Sequence, residues 1–249
     1  MGNRSIKAVT FDLWNTLIVD THEGGLTRVA RRVQATRDVL GDGDLTFTIA
    51  QIEKAYWASQ GRFEAIRARG LDMGFKEQMD VFLDMIREGL AESLSPGVKK
   101  RLATRHANTF LEHPPDLMPG ALEMLETLKA RGCKIGLICN SGATPGKIQR
   151  RFLRDIGLSR RLQTLTFSDE EGLAKPSPGI FLSTLRTLKV SPEASAHIGD
   201  RPETDILGAK GVGMRAILIG RASCDGLPVA PDARIQRLAE LPGVLERIG

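Results

Sequence analysis

The sequence predicts an α/β protein: a doubly wound parallel sheet with an α-helical module inserted close to its N-terminal end. Three observations carry this expectation. From Pro114-Pro115 onward, short apolar runs alternate with segments of helical periodicity, the pattern of strand–helix–strand units. Residues 20–111 are almost free of strand-like runs. One strand-like run, Ala8-Val9-Thr10-Phe11, precedes that helical block, so the sheet must be assembled from both sides of an insertion. The expected division is a core of residues 1–19 and 112–249 and a helical domain of residues 20–111. A chain of 249 residues is long enough for that arrangement.

Taken in order, the first run ends in a lone carboxylate, Asp12, followed by a turn through Trp14-Asn15-Thr16. A strand that delivers an Asp from its C-terminal end aims it into the crevice where open α/β sheets bind ligands. In the helical block, Leu26, Val29, Val33, Thr36 and Leu40 recur at three-and-four spacing, as do Phe75, Met79, Phe82, Ile86 and Leu90. Thr48-Ile49-Ala50-Gln51 has the form of a capping box opening a helix through Tyr56 and Trp57. Gly41-Asp42-Gly43-Asp44 and Ser95-Pro96-Gly97 punctuate the block into about four helices. Tyr56, Trp57 and the Met residues are assigned to its core, and Arg28, Arg31 and Arg32 to solvated helix positions in preference to the alternative that they face the site. Beyond it, Pro119 opens a helix bearing Leu122, Leu125 and Leu128, and Gly132 ends it before a strand over 133–139. A helix ending at Ile156 with Gly157 as its cap, a strand over 163–168 and a helix over 178–188 follow. Strands over 196–199 and 215–219 and a final helix complete the alternation.

Composition excludes several classes. With 41% hydrophobic and 26% charged residues the chain is that of an ordinary globular protein, and no apolar run is long enough to span a bilayer. The opening residues enter a strand directly rather than a signal-peptide core, so a cytoplasmic location is expected. Gly2 lacks the Ser or Thr that myristoylation wants at position 6, which is Ile6. Cys133, Cys139 and Cys224 are odd in number and without metal-site spacing. The net charge of +5 is local: Lys147, Arg150, Arg151, Arg154, Arg160 and Arg161 stand against Asp155, interleaved with Ile148, Phe152 and Ile156 at helical spacing. That is a solvated helix face. With aromatics at 5%, stacking surfaces for nucleic acid are scarce.

Four segments then stand in a telling order. Phe11-Asp12-Leu13-Trp14-Asn15-Thr16 is the first; Ile138-Cys139-Asn140-Ser141-Gly142 ends the second core strand; Gly172-Leu173-Ala174-Lys175-Pro176 places a lysine in a loop; His197-Ile198-Gly199-Asp200, with Asp205, ends the next strand in acid. In this order they resemble the motifs of the haloacid dehalogenase superfamily, mostly magnesium-dependent phosphatases with a Rossmann-like core and a helical cap between the first and second motifs. The resemblance implies Asp12 as the nucleophile and Lys175 as the cation that offsets charge. Mg2+ would be held by Asp12, Asp200 and the backbone carbonyl of Trp14, with Asp205 behind them orienting water. Asn140, Ser141 and Gly142 would contact the substrate, a small phosphorylated molecule.

Two positions depart from the pattern. Cys139 stands where a hydroxyl normally contacts phosphate, and a thiol donates weakly. Trp14 stands where the phosphatases carry a second Asp, the group that protonates the leaving oxygen and is worth roughly 10² to 10⁴ in rate. Three readings compete. A phosphohydrolase would act on good leaving groups or borrow an acid such as His22 or Glu23. A 2-haloacid dehalogenase needs no proton for the departing halide and commonly has an aromatic residue at this position. A binding protein of the same fold would have lost turnover. Asp200 with Asp205 favours the first over the second, since a metal-free dehalogenase has little use for a further carboxylate beside its nucleophile, and retention of Asp12, Lys175 and Asp200 favours chemistry over binding alone.

Overall fold

The computed structural model describes residues 5–249, and Gly2 lies outside them. Strand β1 (Ala8–Phe11) is followed by a tight turn and a two-residue strand, β2 (Ile18–Val19). The chain then enters α1 (His22–Gly41), α2 (Ile49–Arg67), α3 (Phe75–Ile86), the single turn α4 (Leu90–Ser93) and α5 (Pro96–Glu112). It returns through β3 (Asp116–Leu117), antiparallel to β2 with Ile18 facing Leu117 and Val19 facing Asp116. The helical block thus leaves and rejoins the rest through one short ladder. Thr48 caps α2 reciprocally with Gln51, as the spacing predicts, and Ser95 caps α5 with Pro96 in its first turn.

The remainder alternates: α6 (Ala121–Ala130), β4 (Lys134–Cys139), α7 (Gly146–Asp155), β5 (Thr164–Phe167), α8 (Ser168–Glu171), α9 (Pro178–Leu188), β6 (Ser195–Gly199), α10 (Leu207–Gly211), β7 (Arg215–Ile219), β8 (Ala233–Ile235) and α11 (Leu241–Ile248). Six strands form one parallel sheet in the order β5-β4-β1-β6-β7-β8. Residues alternate between its faces as a period of two requires. Val9, Phe11, Ile135, Leu137, Ile198 and Ile217 pack into one apolar cluster; Ala8, Ile138, Ala216 and Leu218 pack into another, with Ile180, Phe181 and Leu185 of α9. A third cluster joins Val29, Val33, Ile52, Tyr56, Phe82 and Leu102 of the helical block. From β1 the chain steps outward through β4 to β5, then crosses back to β6 on β1's other side. The C-terminal ends of β1, β4 and β6 therefore border the point where strand order reverses, the place such sheets form their ligand crevice.

Several expectations need correction. The helical block has a fifth, four-residue helix in α4, too short for periodicity to reveal. Leu26 and Trp57, expected to be core, are 47% and 49% exposed. Arg28 and Arg32, expected to be solvated, are each only 5% exposed, whereas Arg31 is exposed as anticipated. The reason is common to all four: α1 and α2 border the crevice as well as one another, so part of their polar face meets protein. The basic face of α7 holds, with Lys147, Arg151 and Arg154 exposed. The three cysteines are free, and no helix among the described residues is long and apolar enough to cross a membrane.

Candidate active site

Asp12, Asn140 and Asp200 each fall directly beyond a strand end. Asp12 directly follows β1, its backbone N–H bonded 2.8 Å from the Ile198 carbonyl, and Asp200 directly follows β6. Lys175 sits on the loop between α8 and α9, fixed by Asn140. The Asn140 amide accepts from the Lys175 N–H at 2.8 Å and donates to the Lys175 carbonyl at 3.0 Å. So held, the Lys175 Nζ donates to Asp12 Oδ1 at 2.5 Å and to Asp205 Oδ1 at 2.7 Å. Asp205 is pinned further: its Oδ2 accepts the Arg201 N–H at 3.0 Å, and His197 Nε2 lies 3.2 Å from Oδ1. The other ring nitrogen of His197 is 2.9 Å from the Thr10 hydroxyl. Gly199 makes this packing possible, because a Cβ there would lie 2.2 Å from Asp205 Cγ.

Electrostatics separates the two acids that share the ammonium. Burial raises Asp12 to about 7, with Lys175 pulling it down and Asp205 and Asp200 pushing it further up. Although burial works the other way, Lys175 and His197 hold Asp205 well below the usual carboxylate range. Burial likewise lowers Lys175, but Asp12 and Asp205 outweigh it and keep the ammonium charged. Asp200 is raised by burial against a 3.1 Å hydrogen bond from Asn15, a residue whose left-handed backbone (φ 55°) turns its amide toward that carboxylate.

Asp12, Asp200 and Asp205 bring carboxylate oxygens within 4.8 Å of one another. One ammonium among three acids leaves the group net negative, and hard oxygen donors suit a cation such as Mg2+. The donor set therefore fits the metal. Both oxygens of Asp205 already accept hydrogen bonds, which leaves Asp12 and Asp200 as the side chains free to ligate and puts Asp205 behind them.

The second motif is organised differently from expectation. Asn140 uses both ends of its amide to hold the Lys175 backbone. The Ser141 hydroxyl, also expected to face the substrate, instead donates to the Asp169 carboxylate, and the Ser141 N–H donates to Ser168 Oγ at 2.8 Å. Gln149, fully buried, ties down the carbonyls of Ser141 and Thr144 at 3.0 and 2.8 Å. Cys139 is fully buried with its thiol 3.5 Å from Gln149 Oε1. Among the described residues the N–H of Gly142 has no hydrogen-bond partner, so the loop offers the backbone amide anticipated there, while the side chains of Asn140 and Ser141 are engaged elsewhere.

Asp12, Asn140, Ser141, Gly142, Lys175, Asp200 and Asp205 line one cavity of about 540 Å³ together with residues of the helical block. Trp14 forms part of its wall, edge-on to Phe110 with ring centroids 5.7 Å apart and with the Arg28 guanidinium 5.7 Å from its own centroid. His22 lines the cavity while Glu23 does not. Arg28, Arg32, Tyr56, Trp57 and Arg67 line it too; the sequence offers the site to Arg28 and Arg32 only as the lesser alternative to solvated positions and does not nominate the other three, because helical spacing marks a polar face without saying what stands opposite. His197 and Thr10 were also missed, although a His and a Thr inside otherwise apolar strands were a visible signal.

The family model for haloacid dehalogenase-like hydrolases matches residues 6–213. The chain belongs to that family. This hydrolase is 30% identical to a glyceraldehyde 3-phosphate phosphatase of Pyrococcus furiosus across 98% of its own length and 95% of that protein. It is 32% identical to a phosphoserine phosphatase of Thermus thermophilus over a shorter stretch, 63% of this chain and 62% of that one. Among solved structures, a 2-haloacid dehalogenase from Pseudomonas syringae aligns over 98% of this hydrolase and all of that chain, with a TM-score of 0.70 and 27% identity.

Proposed function

We propose that this hydrolase removes phosphate from a small organic phosphomonoester, with Asp12 as nucleophile and Mg2+ as cofactor. The observation that carries the reading is the Lys175 ammonium bonded at once to Asp12 and Asp205, with Asp200 beside them. A carboxylate approaches a phosphate dianion only where positive charge offsets their repulsion, and this is where the fold has placed it. The phosphatase names of the Pyrococcus and Thermus relatives point the same way.

In the proposed reaction Asp12 Oδ attacks phosphorus, the P–O bond to the organic group breaks, and an aspartyl phosphate forms. Water then attacks that phosphorus, the acyl phosphate P–O bond breaks, and the Asp12 carboxylate is restored as inorganic phosphate departs. Asp12, Asp200 and the Trp14 carbonyl would hold Mg2+, which would supply positive charge to offset that of the phosphoryl group. Lys175 neutralises Asp12 and is aimed by Asp205, itself aimed by His197. The N–H of Gly142 donates to a phosphoryl oxygen, while Asn140 and Ser141 keep the loop and Lys175 in place. Trp14 has no proton to give, so the leaving oxygen either departs from a good leaving group or takes a proton from His22 on the cavity wall. Residues 20–111 act as a cap over the core of residues 1–19 and 112–249, excluding water. The free thiols suit a reducing, cytoplasmic setting.

Trp14 and the Pseudomonas dehalogenase favour a second reading, displacement of halide from a 2-haloacid by Asp12. The cluster of three acids tells against it, since a metal-free site gains nothing from further like charge beside its nucleophile. A screen of small phosphates with Mg2+ and with chelator separates the two. Phosphate release that needs Mg2+ supports the proposal. Chloride release from a 2-haloacid in chelator, with no phosphatase turnover, overturns it.

A further inference from the structure

Five permanent cations line the cavity, and four of them are matched by carboxylates. Lys175 meets Asp12 and Asp205, Arg28 meets Asp20, Arg67 meets Glu64 and Asp72, and Arg201 meets Glu64. Arg32 is the exception among the described residues. Its side chain is held by three neutral acceptors: Nε donates to the His106 carbonyl at 3.2 Å, Nη1 to the Tyr56 hydroxyl at 3.2 Å and Nη2 to the Thr144 hydroxyl at 2.8 Å. It is 5% exposed, and it lines the cavity.

A guanidinium has five N–H donors, so three such bonds leave two unused. Burial works against its charge, and Arg28 adds like-charge repulsion, opposed by the Tyr56 hydroxyl. A buried ion without a counter-ion is costly to keep, and an anion arriving beside it removes that cost. The three neutral bonds fix the guanidinium plane in advance, from α5, from α2 and from the loop after β4 that also carries Asn140. This is how a cation is prepared for bidentate recognition of an oxyanion. The exposed ring of Trp57, edge-on to Tyr56 with centroids 5.3 Å apart, gives the same wall an apolar surface for a carbon skeleton.

We propose that Arg32 recognises a second anionic group on the substrate, a carboxylate or another phosphoryl group carried by the organic part of the monoester. The inference rests on the reading of Asp12 as acceptor of the first phosphoryl group. The enzyme is thereby a phosphatase of doubly anionic small molecules, and its discrimination against neutral phosphate esters resides in one buried arginine.

The test compares matched pairs in the presence of Mg2+: 3-phosphoglycerate against glycerol 3-phosphate for the carboxylate, and fructose 1,6-bisphosphate against fructose 1-phosphate for the second phosphoryl group. The wild-type protein is expected to favour the anionic member of at least one pair about tenfold or more in kcat/KM, chiefly through KM. Arg32→Gln should collapse that ratio toward one, and Arg32→Lys should retain part of it. Equal kcat/KM within both pairs overturns the assignment of Arg32 while leaving the phosphatase reading intact. Phosphate release from none of the four speaks against the phosphatase reading, and binding then decides the Arg32 site. A larger rise in melting temperature with phosphonoacetate than with methylphosphonate, lost in Arg32→Gln, supports it; equal shifts, or none, overturn it. Should Arg32→Gln not fold, the wild-type ratios and Arg32→Lys carry the same decision.

Discussion

Lys175 stands 2.5 Å from Asp12 and 2.7 Å from Asp205, yet their surroundings push the two acids in opposite directions, Asp12 up and Asp205 down. Asp205 also receives His197 and the Arg201 N–H, whereas Asp12 has the ammonium alone against burial and two neighbouring carboxylates. Removing the shared cation should therefore cost stability as well as rate. Lys175→Met is expected to abolish turnover and lower unfolding free energy by about 3–5 kcal/mol, since it leaves two buried carboxylates facing each other; denaturant unfolding reads the second effect. Trp14 makes the opposite prediction. Trp14→Asp restores a proton donor beside the nucleophile and should raise kcat on esters of high leaving-group pKa by about 10² to 10⁴. It should do little for activated aryl phosphates, and a plot of rate against leaving-group pKa shows the difference as a flatter slope. Asp12, Lys175, Asp200 and Asp205 were legible in the sequence only jointly, through four motifs whose order resembles one family, since each alone reads as a turn, cap or loop residue. The hydrogen bonds of Asn140 and Ser141 were not, because residue type names a donor without naming its partner.

At the scale of elements, the helical block touches the core close to Lys175. The Asp72 N–H donates to the Gly172 carbonyl and the Ala174 N–H to the Gly70 carbonyl, both at 3.1 Å, so residues 70–72 pair with 172–174. Ser168 extends the link, its hydroxyl donating to Asp72 and accepting from the Ser141 N–H. Gly70 adopts a left-handed φ of 77°, and a Cβ there would come 3.0 Å from Ser177 Cβ. Gly70→Ala is therefore expected to loosen this strap, raising KM and increasing hydrogen exchange at residues 172–177 while exchange in β1 and β4 stays unchanged. The main strands and helices were readable because their periods differ and because Gly132 and Gly157 mark helix ends. The β2–β3 ladder and β8 were not readable. Two or three residues hold too little pattern to register, and their pairing is decided by tertiary contact.

For the whole molecule, His106 gives stability a pH dependence separate from the cavity acids. It is buried among Tyr56, Phe75 and Phe82 with neither ring nitrogen hydrogen-bonded among the described residues, and burial holds it well below its ordinary value. The unfolded chain takes up a proton near pH 6.5 that the folded protein refuses, so this residue destabilises the fold as pH drops below that value. His106→Leu should gain on the wild-type protein by up to about 1.4 kcal/mol per pH unit between pH 6.5 and 5.5, and the gap should be flat above pH 7.5; parallel unfolding curves across that range would contradict it. The fold class followed from alternation along the chain, but the cavity did not, because it is built where α1 and α2 meet strand ends far away in sequence. That meeting is also where the chemistry is proposed to occur. Its most direct test is to quench the protein during turnover of a phosphomonoester with Mg2+, reduce it with borohydride and map the product by mass spectrometry. A covalent aspartyl phosphate predicts homoserine at position 12, absent in Asp12→Asn; phosphate release from a protein whose Asp12 is recovered unmodified would contradict the account.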